Sequence, residues 1–301
     1  MTMMLRLVED HARDYFAVIF DAKGETFRHK IYDQYKANRD APPEDLLPQF
    51  PLVRDATRAL NLSCIERGGF EADDIIATYA KLGAEAGLDV VVVSSDKDLM
   101  QLVNDRVCML DPMKQKTLRR DEVVEKFGVG PERVVDVQSL AGDSVDNVPG
   151  VPGIGIKTAA LLINEYGDLD TLLARAGEIK QTKRRENLIE FADMARVSRD
   201  LVRLDTAVPD LPDLEELRHE VHDEATLQSF LEVMEFKSIA QKMGMKVEAQ
   251  SVVEAPADQP EVPISENKYE LVTTLDALDR WIERAATARL VAFDTETTSL
   301  D

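Results

Sequence analysis

The sequence is poor in cysteine and aromatic residues, lacks long apolar runs, and has far fewer basic than acidic residues. Its two cysteines, Cys64 and Cys108, lie far apart in apolar contexts, so we expect buried free thiols in a reducing cytoplasm. No apolar run approaches the length of a membrane span, so we expect no transmembrane helix. Glu9, Asp10 and Asp14 interrupt the start of the chain where a secretion signal would stay apolar. We therefore predict an amphipathic helix there and a cytoplasmic location.

The shortage of positive charge bears on function. Lysine and arginine number 36 against 57 acidic residues, which gives a net charge of −21. This sum argues against nucleic-acid binding, because proteins of that class usually carry a basic footprint. A metal site concentrates acid, however, and a DNA-binding surface can be a local stripe. The distribution of charge along the chain therefore decides between these classes.

The first half of the chain alternates between strand and helix patterns. Strands are predicted at 15–22, 61–66 and 88–95, helices at 42–60, 71–87 and 97–103, and a hairpin at RVCML and KTLRR. This alternation predicts an α/β fold whose sheet is mostly parallel and flanked by helices. Strand patterns vanish after residue 120, so we predict an α/β core over 1–120 and an all-helical subdomain over 121–246.

The last part of the chain changes character. Residues 247–267 contain Pro256, Pro260 and Pro263 among small and acidic residues, which predicts a linker. Residues 268–301 begin a new strand–helix–strand pattern, and about thirty residues are too few to close a core. We therefore expect the C-terminus to be a cut through a further α/β domain.

Acidic residues recur where predicted strands end and predicted helices begin. One such residue is explained by a turn or by a helix cap worth about 0.3–1 kcal/mol, but three within four residues repel one another. Ligands gather beyond the carboxyl ends of strands in open α/β sheets. Oxygen-only ligands select hard cations, and so many carboxylates predict two or more Mg²⁺ or Mn²⁺ ions for phosphodiester hydrolysis. The candidate metal ligands are Asp21, Glu71, Asp73, Asp74, Asp96, Asp98, Asp143 and Asp146.

A basic stretch, FRHKIYDQYKANR at 27–39, follows Asp21 directly. Its cations and tyrosines suit phosphate contact and base stacking, although a solvated helix face explains them equally well when they are taken alone. Its position beside the first acid favours substrate handling. Arg28 and Lys30 are therefore candidate DNA contacts.

The glycine-rich stretch PGVPGIGIKTA at 149–159 nearly matches a nucleotide-binding P-loop. An extra residue precedes Lys157, and no strand leads into the loop, so a nucleotide hydrolase is the weaker interpretation. The stretch fits better as a hairpin between two helices. The N–H groups of Gly153 and Gly155 would then bind a DNA phosphate, with Lys157 and Thr158 beside them.

Taken in order, the strings VIFDAKGETFRH, YKANR, EADDIIAT, SSDKDLMQLV, LAGDSVDNVPGVPGIGIKTA and FLEVMEFKS carry a specific resemblance over residues 1–245. The chain resembles the 5′-nuclease domain of the bacterial DNA polymerase I family, within the flap-endonuclease superfamily. The resemblance implies that the eight acids bind metal and that Lys36 and Arg39 lie in a helical arch over the scissile phosphate as catalytic residues. It also implies that residues 148–158 form a helix–hairpin–helix-like grip on duplex DNA that holds a potassium ion.

The tail extends the resemblance. VAFDTETTSLD resembles the first motif of the proofreading 3′–5′ exonuclease domain, in which Asp294 and Glu296 would be metal ligands. The implied parent is a monomeric DNA-directed DNA polymerase of replication and repair that acts on 5′ flaps, nicks and primer ends.

One departure from the family pattern shapes the expectation for this chain. The family opens with a strand that carries a further metal-ligand aspartate, and this sequence begins after that strand. We therefore expect a chain truncated at both ends, less stable than the intact domain and impaired as a nuclease. A DNA-structure-binding fragment without turnover and a free-standing 5′-nuclease remain alternatives, and the FDTET tail argues against the second.

Overall fold

The computed structural model describes residues 1–11, 14–245 and 270–292. The chain divides into two compact units, Met1–Val247 and Glu248–Asp301. Across the described ranges, no helix is both long and apolar enough to span a membrane. The linker predicted at 247–267 lies outside the described residues, and so do Asp294 and Glu296.

The first unit is a mixed α/β structure, and the described part of the second contributes one helix. The described α-helices are α1 (Thr2–His11), α2 (Phe27–Ile31), α3 (Gln49–Ala59), α4 (Ala72–Glu85), α5 (Arg120–Phe127), α6 (Val134–Ala141), α7 (Ile156–Tyr166), α8 (Leu169–Ala174), α9 (Thr182–Glu190), α10 (Ala192–Val202), α11 (Glu224–Val233), α12 (Lys237–Lys242) and α13 (Leu275–Thr287). Short 3₁₀ helices lie at Lys97–Leu102, Pro131–Arg133, Ala176–Glu178 and Leu214–Leu217.

The strands form two small sheets. The described strands are β1 (Ala17–Ile19), β2 (Ser63–Ile65), β3 (Val90–Val93), β4 (Val107–Asp111) and β5 (Lys116–Leu118). β1 pairs with β2 in parallel, with Val18 opposite Cys64. β3 pairs with β4 in parallel, and β4 pairs with β5 antiparallel. The α/β class and the β4–β5 hairpin are confirmed, whereas the single sheet expected from the sequence is two sheets that no described strand connects.

The main hydrophobic core lies between the three-stranded sheet and helices α4 to α8. Leu99, Met109, Leu140 and Ile163 are fully or almost fully buried within it. Burial of each such side chain stabilises the fold by about 1.5–3 kcal/mol. The core therefore holds β3, the middle of α4 and the end of α6 together, and the acidic residues lie at the ends of these elements.

A second cluster holds the N-terminal helix in place. Met4, Leu5 and Val8 of α1 pack with the buried Leu227 and Leu231 of α11. The predicted amphipathic helix is thus present, and its partly buried apolar side chains pack on a cluster formed by α11, α12 and the end of α3.

Residues 120 to 245 contain helices and no paired strand among the described elements, as the loss of strand patterning predicts. In the second unit, α13 begins at the cap Thr274, whose hydroxyl accepts a hydrogen bond from the Ala277 N–H at 3.3 Å. The residues 270–273 before it form no strand, contrary to the strand–helix–strand pattern expected there.

Candidate metal centre and nucleic-acid interface

Four chain segments bring the candidate acids together. Asp21 follows β1, Glu71 is the residue before α4, Asp96 follows β3, and Asp143 follows α6. The Asp21 carboxylate accepts a hydrogen bond from the Ala72 N–H at 2.8 Å, which joins the first segment to the start of α4. As expected, the ends of strands and the starts of helices therefore meet at this site.

Asp73 lies at the centre of this acidic cluster. Burial, and then the negative charges of Asp96, Asp21, Glu71 and Asp98, raise the pKa of Asp73 from 3.8 to about 7. In the described part of the chain the Asp73 carboxylate has neither a hydrogen bond nor an ion pair. An unpaired carboxylate among four others is a position that a cation would stabilise strongly.

Asp96 and Asp98 lie together at the start of the 3₁₀ helix after β3. The Asp96 carboxylate caps this helix by accepting the Asp98 N–H at 2.9 Å. Asp98 accepts a hydrogen bond from Gln138 of α6. Burial and the nearby Asp96 raise the pKa of Asp98 to about 6, against the lowering effect of Gln138. Asp96 thus caps the helix and, like Asp98, contributes negative charge to the acidic cluster.

The loop after α6 carries the last two acids. Asp143 and Val148 exchange backbone hydrogen bonds of 2.9 and 2.7 Å, which closes the loop into a small hairpin. Burial would raise the pKa of Asp143, but the hydrogen bond and charge of Lys97, together with the backbone N–H groups of Val145 and Asp146, outweigh burial, so the pKa is lowered. Asp143 is therefore held as a carboxylate next to the cluster.

The cations predicted for the arch form ion pairs with two of the candidate metal-binding acids. Lys36 forms an ion pair with Glu71 and lies 3.6 Å from Asp146, and Arg39 forms an ion pair with Asp146. The Lys36 backbone N–H also donates to the Asp146 carbonyl at 3.0 Å. The buried Tyr35 hydroxyl lies 3.0 Å from Glu71. Between α2 and α3 this segment consists of turns, so the arch is less helical than the resemblance implies.

Arg28 and Asp74 have a different role from the one predicted. Arg28 is 1% exposed, and its guanidinium donates two hydrogen bonds of 2.7 Å to the fully buried Asp74. Arg28 also donates to the carbonyls of Leu201 and Arg203, at 2.7 and 3.1 Å. The prediction that Arg28 contacts DNA is therefore wrong, because its donors are used inside the protein. Lys30, in contrast, is exposed and stays a candidate contact.

Asp74 is correspondingly saturated. Besides Arg28, its oxygens accept the N–H groups of Glu71 at 3.1 Å and Asp205 at 2.9 Å. With every oxygen used in this way, the geometry favours a structural role for Asp74 over the metal-ligand role proposed from the sequence. The pair ties α2, the start of α4 and the segment after α10 together.

A small cavity of about 20 Å³ opens among the acids, which is room for about one water molecule or bare ion. Glu71, Asp73, Asp98, Asp143 and Asp146 line it. Among the described residues, no three acidic, histidine or cysteine side chains already have the spacing of a metal centre. Arg28, Tyr35 and apolar side chains also line the cavity, but its acids offer only oxygen donors and include the unpaired Asp73, so this donor set fits a hard divalent cation.

The glycine-rich hairpin lies directly beyond the acidic loop. Gly150 has φ +62°, and a Cβ there would lie 2.5 Å from the Gly142 nitrogen, so only glycine allows this close backbone approach. Gly153 and Gly155 are exposed, and Gly155 precedes the first residue of α7. Lys157 is exposed and Thr158 partly exposed in the first turn of that helix, so these four predicted DNA contacts share one surface segment.

The sequence did not reveal the roles of some residues at the site. Tyr35 was expected to stack on bases, but it is buried against Glu71. Lys97 and Gln138 carry no signal of their own, since their importance comes from contacts with Asp143 and Asp98. Gly150 could have been found, because it belongs to the glycine stretch already singled out.

Two family descriptions match consecutive parts of the chain. The 5′-3′ exonuclease, N-terminal resolvase-like domain matches residues 1–128, and the 5′-3′ exonuclease, C-terminal SAM fold matches residues 129–225. DNA polymerase I of Rhizobium leguminosarum is 47% identical over 95% of this chain and 34% of its own length. DNA polymerase I of Pseudomonas aeruginosa is 36% identical over all of this chain and 33% of its own length. The chain thus spans about a third of the curated relatives it matches.

Solved structures show the same fold. A T5 protein co-crystallised with metal ions has a TM-score of 0.63 at 25% identity, covering 68% of this chain and 82% of its own. The catalytic core of Rad2 in complex with DNA substrate has a TM-score of 0.51 at 15% identity, covering 80% of this chain and 81% of its own. With both halves of the first unit matched, the chain belongs to the 5′-3′ exonuclease family.

Proposed function

We propose that the acidic cluster is the divalent-cation site of a 5′ nuclease that hydrolyses DNA at 5′ flaps, nicks and primer ends, including RNA primers. The unpaired Asp73 carries this proposal. Its carboxylate lies among four others, and leaving it uncompensated is costly unless a cation or a proton arrives. The metal ions in the T5 crystals and the DNA in the Rad2 complex support the same proposal by likeness of fold.

Mg²⁺ or Mn²⁺ is the cofactor that these donors favour, because the cluster offers carboxylate oxygens and no sulfur or imidazole. The seven acids other than Asp74 are the proposed ligands. Bound at such a site, a pair of divalent ions supplies activation of a water and stabilisation of the departing oxygen in phosphodiester hydrolysis.

The protein's own cations would position and stabilise the phosphate. Lys36 and Arg39 already reach the acids from the segment between α2 and α3. A scissile phosphate over the cluster would offer both of them a second anion at the same place. Positive charge fixed at this position stabilises the negative charge that develops in the transition state.

The hairpin would hold the duplex. The exposed N–H groups of Gly153 and Gly155, with Lys157 and Thr158, suit backbone phosphate contacts that read no sequence. Its carbonyl groups are the proposed site of a potassium ion. Both features would provide a sequence-independent grip next to the acidic loop.

The parent activity is a further proposal. Because the curated relatives are DNA polymerase I and the chain spans about a third of their length, we propose that it serves as the 5′-nuclease portion of a repair polymerase. Asp294 and Glu296 would then belong to the proofreading domain that follows. A monomer in the cytoplasm is the expected form.

The test is cleavage of a 5′-labelled flap substrate in Mg²⁺, with flap binding measured separately in Ca²⁺. The unaltered chain should cleave, and Asp73→Asn should lower the rate by at least about 10²-fold while binding persists. Asp200→Asn, which changes an exposed acid of α10 outside the cluster, is the matched control and should cleave normally. Binding of flaps without any cleavage by the unaltered chain would support the non-catalytic alternative instead.

A further inference from the structure

A concentrated basic patch lies outside the sites described so far. Four of the six residues in KQTKRR, at 180–185, are basic in a chain whose net charge is −21. Lys180 and Lys183 are exposed and Arg184 is partly exposed. Within the described ranges, no carboxylate lies within 4 Å of these three cations or of Lys157, unlike Lys36, Arg39 and Lys97, which are ion-paired. We call Lys157, Lys180, Lys183 and Arg184 the basic track.

The track adjoins the glycine hairpin. Asn187 of α9 is buried and donates a hydrogen bond of 2.8 Å to the Pro152 carbonyl in the hairpin loop. Lys183 and Arg184 precede Asn187 by four and three residues, so they share its helix face one turn nearer the start of α9. The hairpin glycines and these cations therefore lie side by side on one surface.

Helix stability does not explain the arrangement. The first turn of α9 contains no acidic residue, and cations near the start of a helix oppose its dipole. Arg185 differs, because it donates to the Ile179 carbonyl at 2.9 Å and so supports the loop before the helix. The other three cations have no anionic partner among the described residues, so they are free to bind an anion from outside the protein.

We propose that the basic track binds successive phosphates of duplex DNA, extending the hairpin contact along one strand. The inference rests on the proposed function, since the hairpin must first hold a duplex. Charge complementarity and continuity with the hairpin select a nucleic-acid backbone as the occupant. The contact is sequence-independent, because lysine and arginine here meet phosphate oxygens and no base edge.

The test measures affinity for a blunt duplex in Ca²⁺ as a function of salt. Each cation that neutralises a phosphate contributes about 0.9 to the magnitude of the slope of log affinity against log salt concentration. The double variant Lys183→Ala/Arg184→Ala should therefore have a slope smaller by about 1.8. The charge-preserving pair Lys183→Arg/Arg184→Lys should retain the slope.

The matched control is Lys81→Ala/Lys242→Ala, which removes two exposed lysines of α4 and α12 that form no ion pair within the described residues. It changes the net charge equally and should leave the slope unaltered. Equal slopes for the Lys183→Ala/Arg184→Ala variant and the unaltered chain would overturn the proposal that the basic track binds DNA phosphates. Flap cleavage by the unaltered chain in Mg²⁺ is assayed in parallel, so failure of the track and failure of the proposed nuclease give different results.

Discussion

Asp73 and Asp74 are adjacent in sequence and have opposite surroundings. Asp74 is buried with hydrogen bonds to both oxygens, whereas Asp73 has no partner among the described residues. Their positions at the start of α4 predicted an acidic site but not this division. It depends on Arg28, which lies 46 residues away in the chain and pairs with only one of the two.

Asp73 should make stability depend on pH. Its pKa is about 7 in the fold against 3.8 for an ordinary aspartate, so the folded chain binds more protons between these values. The stabilisation from this group is complete below about pH 4 and is lost as the pH rises through about 7. Asp73→Asn should therefore gain stability relative to the unaltered chain at pH 8, by between about 1 and 4 kcal/mol.

Urea unfolding at pH 5 and pH 8 measures this difference. Excess Mg²⁺ should stabilise the unaltered chain more at pH 8 than at pH 5, since the ion competes with the proton. If Asp73→Asn raised the free energy of unfolding by the same amount at both pH values, the assignment of the raised pKa to Asp73 would be contradicted.

Arg28 should be essential to stability. Arg28→Met would leave the Asp74 carboxylate buried without its charge partner, which costs about 3–5 kcal/mol. The double variant Arg28→Met/Asp74→Leu should recover much of this free energy, because it removes both charges. Urea unfolding gives the free energies, and a destabilisation below about 1 kcal/mol for the single variant would show that the pair is solvated.

At the scale of elements, sequence reasoning located the segments well and their pairing poorly. The β4–β5 hairpin and the helices of residues 120–245 follow from local patterning. The division into two sheets does not, because strand pairing joins segments such as β1 and β2 that lie more than 40 residues apart. Arg39 shows the same limit, since its partner Asp146 lies 107 residues further along the chain.

The close approach of Gly142 and Gly150 joins the acidic loop to the glycine hairpin. The Gly150 N–H also donates to the buried Ser198 hydroxyl at 3.0 Å. Gly150→Ala would combine a left-handed φ with a backbone clash at 2.5 Å, so it should destabilise the chain by more than about 2 kcal/mol.

The matched control is Gly177→Ala, where a Cβ has open space and φ is not positive. That change should be nearly neutral. Thermal unfolding of both variants, with flap cleavage measured below the midpoint, tests the pair. Equal midpoints would show that the backbones at Gly142 and Gly150 can separate without loss of stability.

At the scale of the whole molecule, net charge alone misleads. Part of the acidic charge lies in the acidic cluster, and the rest is spread over solvated faces. The cations of the basic track lie between residues 157 and 184. The order of motifs along residues 1–245 predicted the family that the comparisons confirm. The contacts of Arg28 with Leu201 and Arg203 could not be predicted, because they exist only after the helical part folds back on α2.

The ion pairs of Lys36 and Arg39 with Glu71 and Asp146 couple two binding events. If these acids held a divalent ion, Lys36 and Arg39 would be free to bind phosphate, so each ligand should raise the affinity of the other. Thermodynamic reciprocity requires the factor by which Ca²⁺ strengthens DNA binding to equal the factor by which DNA strengthens Ca²⁺ binding. Positive cooperativity between the two ligands would then arise from side chains that both of them contact.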